Sequence, residues 1–234
     1  MTGFLLAIEG GDGAGKATTA AKIVALARDA GRSATLLSFP RYADTIGGHV
    51  LGDYLAGRLP HAASPRAAAV LYALDRFESA AAIATAAAAH DLVVFDRYIA
   101  SNMAYQAAQV PAEEAPALMD WIARLEVEQF GLPRPDLSIY LDTPADVARD
   151  LIRRKRQRSY TDATFDAYEA DQALQQRVRA NYAAMVAGGD ALIGRWATLP
   201  TMTDGALRPP REIAGAALAL VAKAVAVRAV PTTA

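Results

Sequence analysis

Short apolar runs alternate with helical stretches along this chain, and that alternation restricts the fold more than any other feature. Five runs of four to six residues are almost wholly apolar: 4–8, 34–39, 92–95, 137–141 and, more weakly, 196–199. Six segments have helical spacing: 16–30, 65–89, 112–130, 144–156, 170–186 and 211–227. Short, fully apolar runs are typical of strands buried on both faces of a parallel sheet. Because alternating strands and helices require crossover connections, we predict an α/β fold with a central, mostly parallel five-stranded sheet covered by helices on both sides.

The composition is that of a compact globular chain with little net charge. The 234 residues are 53% hydrophobic, and Lys plus Arg (24) nearly balance Asp plus Glu (25), for a net charge of −1. We therefore expect one domain spanning 1–234 that binds neither nucleic acid nor a membrane. The N-terminus lacks the basic start and long apolar region of a signal peptide, so we expect a cytoplasmic protein. Disulfides and sulfur-ligated zinc are excluded because cysteine is absent.

A glycine-rich loop joins the first predicted strand to the first helix. Residues 9–16 read Glu-Gly-Gly-Asp-Gly-Ala-Gly-Lys and fit the pattern Gly-x-x-x-x-Gly-Lys. In this setting the glycines let backbone N–H groups surround a polyphosphate, the helix N-terminus adds partial positive charge, and the lysine reaches the outer phosphates. The predicted nucleotide-binding residues are Gly10, Gly11, Asp12, Gly13, Ala14, Gly15, Lys16, Ala17 and Thr18.

One position departs from this pattern. Ala17 stands where a Ser or Thr hydroxyl usually binds Mg²⁺, and a helix turns about 100° per residue, so Thr18 does not replace that hydroxyl directly. Metal binding must then rely on phosphate oxygens, water and a nearby carboxylate, for which Asp12 is the candidate. The departure also keeps open a nucleotide-binding protein without turnover.

Further polar and aromatic clusters follow the second and third predicted strands, where ligands of open α/β sheets collect. The candidate ligand-binding residues there are Phe39, Pro40, Arg41, Tyr42, Asp96, Arg97, Ser101, Asn102 and Tyr105, with Tyr72 and Arg76 in a helical stretch between them. Taken singly, these residues have structural explanations: surface pairing of Arg76 with Asp75 or Glu78, and aromatic packing of the tyrosines. Taken together, they suit a planar base that carries an anion, because guanidinium forks match phosphate oxygens.

A phosphate monoester fits these clusters better than a hydroxyl acceptor. With a second pKa of about 6, a monoester is a dianionic nucleophile at neutral pH and needs charge neutralisation rather than a base. Arg41, Arg97, Lys16 and the basic segment 153–158 supply positive charge. Taken alone, the segment 153–158 favours a different interpretation, a solvated helix end whose cations complement the helix dipole. The alternative of phosphoryl transfer to a nucleoside hydroxyl would use Asp96 as base.

The order of these motifs resembles that of bacterial thymidylate kinases, most of all the actinobacterial branch. The resemblance covers about residues 4–200 and rests on these segments: the loop 9–16, Phe39-Pro40-Arg41-Tyr42, Ala73-Leu74-Asp75-Arg76, Asp96-Arg97-Tyr98 with Ser101-Asn102 and Tyr105, Pro135-Asp136-Leu137, and Gln175-Gln176-Arg177. It implies a P-loop kinase that transfers the ATP γ-phosphoryl group to dTMP, giving dTDP and ADP, with Mg²⁺. It also implies a homodimer.

The resemblance assigns roles to the acceptor residues. Tyr72 would stack on thymine, Arg76 and Asn102 would read its polar edge, and Tyr105 would crowd the sugar 2′ position. The acceptor phosphate would be held by Arg41, Tyr42 and Arg97.

The resemblance also implies a basic lid at about 153–165. Because position 13 is Gly rather than Arg, the catalytic arginine would come from this lid, with Arg153 and Arg156 as candidates. The acidic segment containing Asp166, Tyr168 and Glu169 would close over the acceptor. Asp12 and Glu169 would bind the metal ion. The resemblance assigns no role to the last predicted helix, at about 211–227.

Overall fold

The predicted parallel sheet is present in the computed structural model, which describes residues 3–158, 171–188 and 193–228. Its five strands are β1 (Phe4–Glu9), β2 (Ala34–Ser38), β3 (Leu92–Asp96), β4 (Leu137–Asp142) and β5 (Trp196–Pro200). They lie in the order β2-β3-β1-β4-β5, and every neighbouring pair is parallel. The central strand β1 is buried along its whole length, as its apolar sequence predicts.

Helices cover both faces of the sheet. The helices are α1 (Lys16–Asp29), α2 (Ile46–Leu55), α3 (Pro65–Glu78), α4 (Ala80–Ala89), α5 (Ile99–Ala107), α6 (Ala115–Arg124), α7 (Ala145–Arg158), α8 (Gln172–Gly188) and α9 (Pro210–Arg228). One core joins the sheet to α1 and α9, and a second core joins its opposite face to α3, α4, α5, α6 and α8. The short strands β6 (Met202–Thr203) and β7 (Ala206–Leu207) form an antiparallel hairpin.

Two predicted helices differ from the structure. The stretch 65–89 breaks at Ser79, whose hydroxyl donates to the Asp75 carbonyl at 2.8 Å, a local bond that competes with continuous helix. The stretch 112–130 becomes α6 followed by a π-helical turn, Leu125–Gln129. The helices α2 and α5 were not predicted.

The topology brings the predicted site together. All five strands run in the same direction, so the last residues of the first four, Glu9, Ser38, Asp96 and Asp142, lie at one edge of the sheet. Three segments begin at that edge: the glycine-rich loop after β1, the loop 39–45 after β2 (the Arg41 loop), and Arg97 directly after β3. Within the described ranges, no helix is long and apolar enough to cross a membrane.

Candidate active site

The glycine-rich loop runs from the end of β1 to the first residue of α1. Gly15 precedes the helix at φ 84°, and Gly13 has φ 76°. A Cβ at position 13 would lie 2.2 Å from the Ala148 carbonyl oxygen of α7, so glycine is required there for both conformation and space. The loop therefore packs directly against α7 and presents the N-terminus of α1 to a ligand.

Lys16 folds back over this loop. Its side chain is buried, and the Nζ amino group donates to the carbonyl oxygens of Gly10 at 2.9 Å and Gly11 at 2.6 Å. Burial lowers the pKa of Lys16 to about 7, and the positive charge of Arg97 adds to that effect. A polyphosphate bound in the loop would supply the negative charge that favours the protonated amine.

Asp12 connects the loop to β3 and α8. Its carboxylate accepts a hydrogen bond from the Arg97 guanidinium through Oδ1 and one from Gln175 Nε2 through Oδ2, the latter at 2.8 Å. The Asp12 N–H in turn donates to Gln175 Oε1 at 3.2 Å. Burial alone would raise the pKa of Asp12, but the charges of Arg97 and Lys16 outweigh it and hold that pKa below its ordinary value.

Glu9 is wholly buried beneath this site. Its Oε1 accepts from the Tyr98 N–H at 2.8 Å, and its Oε2 accepts from the hydroxyl groups of Ser101 at 2.6 Å and Tyr182 at 2.9 Å. Burial raises the pKa of Glu9 against the opposing effect of these hydrogen bonds. The carboxylate thus joins β1 to the start of α5 and to α8.

Arg41 lies in a loop that is fixed by Asp75. The Arg41 N–H lies 3.2 and 3.1 Å from the two carboxylate oxygens of Asp75, which also accepts from the Thr45 hydroxyl. The guanidinium donates to Asp44 Oδ2 at 3.1 Å and to the Ser79 hydroxyl at 3.3 Å. The pair with Asp44 is solvent-exposed and so contributes little stability, and an anionic ligand could replace that carboxylate at the 22% exposed Arg41 side chain. The neighbouring Tyr42 is exposed.

Arg76 and Asn102 meet at Glu126 in the core rather than on the surface. Arg76 donates from Nη2 to Glu126 Oε1 at 2.6 Å and also from Nε to Oε2, and Asn102 Nδ2 donates to Oε1 at 2.8 Å. All three side chains are at most 2% exposed. Surface pairing of Arg76 with Asp75 or Glu78 is therefore wrong as an explanation for this arginine.

The remaining predicted residues fall into three groups. Phe39 packs in the core, Pro40 follows it in the Arg41 loop, Tyr72 lies half-buried on α3, and the Tyr105 ring lies 5.2 Å from the Arg97 guanidinium. Ala17 and Thr18 are exposed on α1, and Arg153 is exposed on α7, paired with Asp150 at 2.6 Å. Outside the described residues lie Asp166, Tyr168, Glu169 and the side chain of Arg156.

The candidate cation ligands of this site are the carboxylates of Asp12 and Asp96. Among residues 3–158, 171–188 and 193–228, no group of three or more His, Cys, Asp or Glu side chains is placed to hold a metal ion. Asp96 Oδ1, at the end of β3, is buried and has no hydrogen-bond partner in those same ranges. The negative charges of Asp12, Asp96 and Glu9 all act on Lys16 and favour its protonated form.

The sequence patterns missed Glu9, Asp75, Glu126 and Gln175 as functional positions. Glu9, Asp75 and Gln175 stand within the sequence motifs, but the motifs predict no contact for them, and Glu126 stands outside every motif. Gln175 also lines a pocket of about 170 Å³ between the loop, β4, α7 and α8. For Glu9, the available signal was a charged residue at the end of an apolar strand. Its partners Tyr98, Ser101 and Tyr182 lie too far along the chain to be inferred from spacing.

The parallel sheet, the glycine-rich loop and the buried lysine define a P-loop kinase fold. A family model for thymidylate kinase matches residues 8–199. A thymidylate kinase of Mycobacterium tuberculosis is 39% identical over 202 residues, which are 86% of this chain and 93% of that relative. One of Clavibacter michiganensis is 34% identical over 92% of this chain and 93% of its own length. A solved thymidylate kinase of Candida albicans, 22% identical, covers 95% of this chain and 92% of its own with a TM-score of 0.70, and supports the fold.

The chain belongs to the thymidylate kinase family. It is therefore a nucleoside monophosphate kinase, a phosphotransferase.

Proposed function

We propose that the protein transfers the γ-phosphoryl group of ATP to dTMP, giving dTDP and ADP, with Mg²⁺. The observation that carries the proposal is the contact of Asp12 with Arg97. It places a guanidinium at the end of β3 against the loop that ends in Lys16. A group suited to an acceptor phosphate and a group suited to a donor phosphate thus share one site.

Charge neutralisation is the main task of this site. The acceptor phosphate, with a second pKa of about 6, is dianionic at neutral pH and attacks without a general base. Repulsion between acceptor and donor phosphates opposes their approach. Arg97 and Arg41 would bind the acceptor together with Tyr42, and Lys16 would bind the outer donor phosphates after leaving the Gly10 and Gly11 carbonyls.

Hard oxygen ligands for Mg²⁺ are available despite Ala17. Asp12 and the unpartnered Asp96 Oδ1 are carboxylate oxygens of the kind Mg²⁺ prefers, so the described residues fit the ion. Asp12 and Asp96 would hold it from the protein side, with Glu169 as a further ligand by the sequence prediction. When bound, the ion neutralises charge on the phosphate oxygens.

The nucleoside part of the acceptor would lie against α3 and α5. Tyr72 would stack on the base, Arg76 and Asn102 would bind its polar edge, and Tyr105 would exclude a ribose 2′-hydroxyl. Support comes from the helical spacing: Asn102 and Tyr105 are three residues apart on α5, so they share a face.

The lid and the assembly state complete the proposal. Arg153 or Arg156 would reach the transferring phosphoryl group. The exposed pair of Arg153 with Asp150 contributes little stability, so breaking it costs little. Asp166, Tyr168 and Glu169 would close over the acceptor. We also propose a cytoplasmic homodimer.

The proposal is tested by measuring ADP release with a panel of acceptors. We expect activity with ATP, Mg²⁺ and dTMP and little with thymidine. Lys16→Ala should lower kcat by about 10²–10³-fold, whereas Lys223→Ala, which removes an exposed lysine of α9, should not change it. A preference for thymidine would contradict the proposal in favour of a nucleoside kinase. ATP binding without dTDP formation would indicate a nucleotide-binding protein, and Ala17→Thr should then restore activity.

A further inference from the structure

Glu126 joins Arg76 and Asn102, the two residues proposed to bind the polar edge of the base. It sits in the π-helical turn after α6 and is wholly buried. A π turn displaces side chains from the positions of a regular α-helix and occurs often at functional sites. Here the carboxylate contacts both Arg76 of α3 and Asn102 of α5.

These contacts fix the direction of the Asn102 amide. Its Nδ2 has two neighbours, Glu126 Oε1 at 2.8 Å and the Ala69 carbonyl oxygen at 3.0 Å. Ionised carboxylate and carbonyl oxygens only accept hydrogen bonds, so the NH₂ group must face them. Asn102 Oδ1 is then the atom left over, and it is buried without a hydrogen-bond partner among the residues the structure describes.

Arg76 is oriented by the same carboxylate. Its Nε and Nη2 are bound to Glu126, which leaves the Nη1 hydrogens as donors for a ligand. Tyr72 and Arg76 are four residues apart and share a face of α3, as Asn102 and Tyr105 share a face of α5. Arg76 Nη1 and Asn102 Oδ1 together form a polar edge with one donor and one acceptor. Because the Tyr105 ring lies against Arg97, this edge adjoins the proposed acceptor-phosphate site.

We propose that Glu126 is a positioning residue that sets the hydrogen-bond polarity of the base site. With Glu126 in place, Arg76 offers a donor and Asn102 offers an acceptor. That edge matches a pyrimidine with a carbonyl oxygen at C4 and a hydrogen on N3. A 4-aminopyrimidine reverses both groups, so two buried contacts would be mismatched. The inference rests on the proposed function, since it names the determinant of base choice at that same site.

The test compares two acceptors that carry the same 5-methyl group, dTMP and 5-methyl-dCMP. We expect kcat/KM of the unaltered enzyme to favour dTMP by at least about 10³-fold, since buried polar mismatches are strongly rejected. Glu126→Gln introduces an amide that can donate to Asn102 Oδ1, so the Asn102 amide can turn. We expect the preference to fall at least about tenfold. Glu126→Asp is the matched control: its carboxylate still only accepts, so the preference should persist even where activity falls.

The outcomes separate this inference from the proposed function. An unaltered enzyme that does not phosphorylate dTMP would overturn the proposed function. If the enzyme is active and its folded Glu126→Gln variant keeps the full preference for dTMP over 5-methyl-dCMP, the inference is overturned. It is also overturned if Glu126→Gln and Glu126→Asp both lose kcat/KM equally on the two nucleotides. If Glu126→Gln does not fold, as judged by circular dichroism, Asn102→Leu decides. That variant removes the oriented oxygen, and an unchanged preference would contradict the proposal.

Discussion

Arg97 contacts Asp12 from a backbone conformation that arginine rarely adopts. Its guanidinium donates to Asp12 Oδ1 while its own φ is 66°, in the left-handed region. The amides on both sides of its Cα are held by β1: the Arg97 N–H donates to the Ile8 carbonyl at 3.1 Å, and the Tyr98 N–H donates to Glu9 Oε1 at 2.8 Å. The last two positions of β1 therefore hold a strained residue in place and direct its side chain at the loop.

Comparing Arg97→Gly with Arg97→Ala measures this strain. Both variants lose the guanidinium, so we expect kcat/KM for dTMP to fall at least about 100-fold in each. Glycine adopts a positive φ without steric cost, whereas alanine does not. The glycine variant should therefore have the larger free energy of unfolding in urea, by about 1 kcal/mol. Equal stability of the two variants would show that position 97 is not strained.

Gly48 of α2 allows close packing against the Arg41 loop. A Cβ there would lie 2.2 Å from the Arg41 carbonyl oxygen and 2.7 Å from Thr45 Oγ1. Gly48→Ala should thus displace the loop, lower stability by about 1–3 kcal/mol and raise KM for dTMP. Gly215→Ala is the matched control, because this exposed helical glycine of α9 has nothing within 4 Å of an added Cβ. It should gain about 0.5–1 kcal/mol with unchanged KM. Similar effects of the two substitutions would contradict this account.

The sheet was predictable from the sequence, whereas two helices were not. Strands such as β1 and β3 are apolar along almost their whole length, which is the signature of burial on both faces. The helix α2 contains three glycines, which lower helix propensity. All nine residues of α5 are buried, including the polar Ser101, Asn102 and Gln106, so the usual contrast between an exposed polar face and a buried apolar face is missing.

Local motifs identified parts of the site, but not the contacts between them. The glycine-rich loop predicted a phosphate-binding role for Lys16 because all the residues of that motif are adjacent in the sequence. Gln175 lies 163 positions from Asp12, and no spacing rule relates the two. Glu126 lies 50 positions from Arg76, and the π turn that carries it has no sequence signature. Contacts of this kind depend on tertiary packing.

Gln175 ties α8 to the loop, and two substitutions at this position should differ in effect. Gln175→Ala removes one hydrogen bond to the Asp12 carboxylate and one from its N–H, so we expect kcat to fall about tenfold. Gln175→Glu places a second carboxylate beside Asp12, and like charges should lower kcat further. Gln176→Ala, at the neighbouring exposed residue, serves as the control in the same assay. A glutamate variant as active as the alanine variant would argue against charge at Asp12 being critical.

The lowered pKa of Lys16 should make ATP binding take up a proton. In the free enzyme, burial holds this pKa at about 7, so at pH 8 most molecules carry the neutral amine. The phosphates of ATP favour the charged amine and raise the pKa. Lys16 should then take up most of one proton when ATP binds at pH 8, and little when it binds at pH 6, where the amine is already charged.

Calorimetric titration with ATP in buffers of different ionisation enthalpy measures this uptake. The part of the observed binding enthalpy that varies with the buffer because of Lys16 should be large at pH 8 and small at pH 6. Lys16→Arg is the control, because a guanidinium stays protonated over this range and should remove the dependence. If the unaltered enzyme and Lys16→Arg showed the same buffer dependence at pH 8, the proton would be taken up elsewhere. Lys16 would then be already charged in its contact with the Gly10 and Gly11 carbonyls.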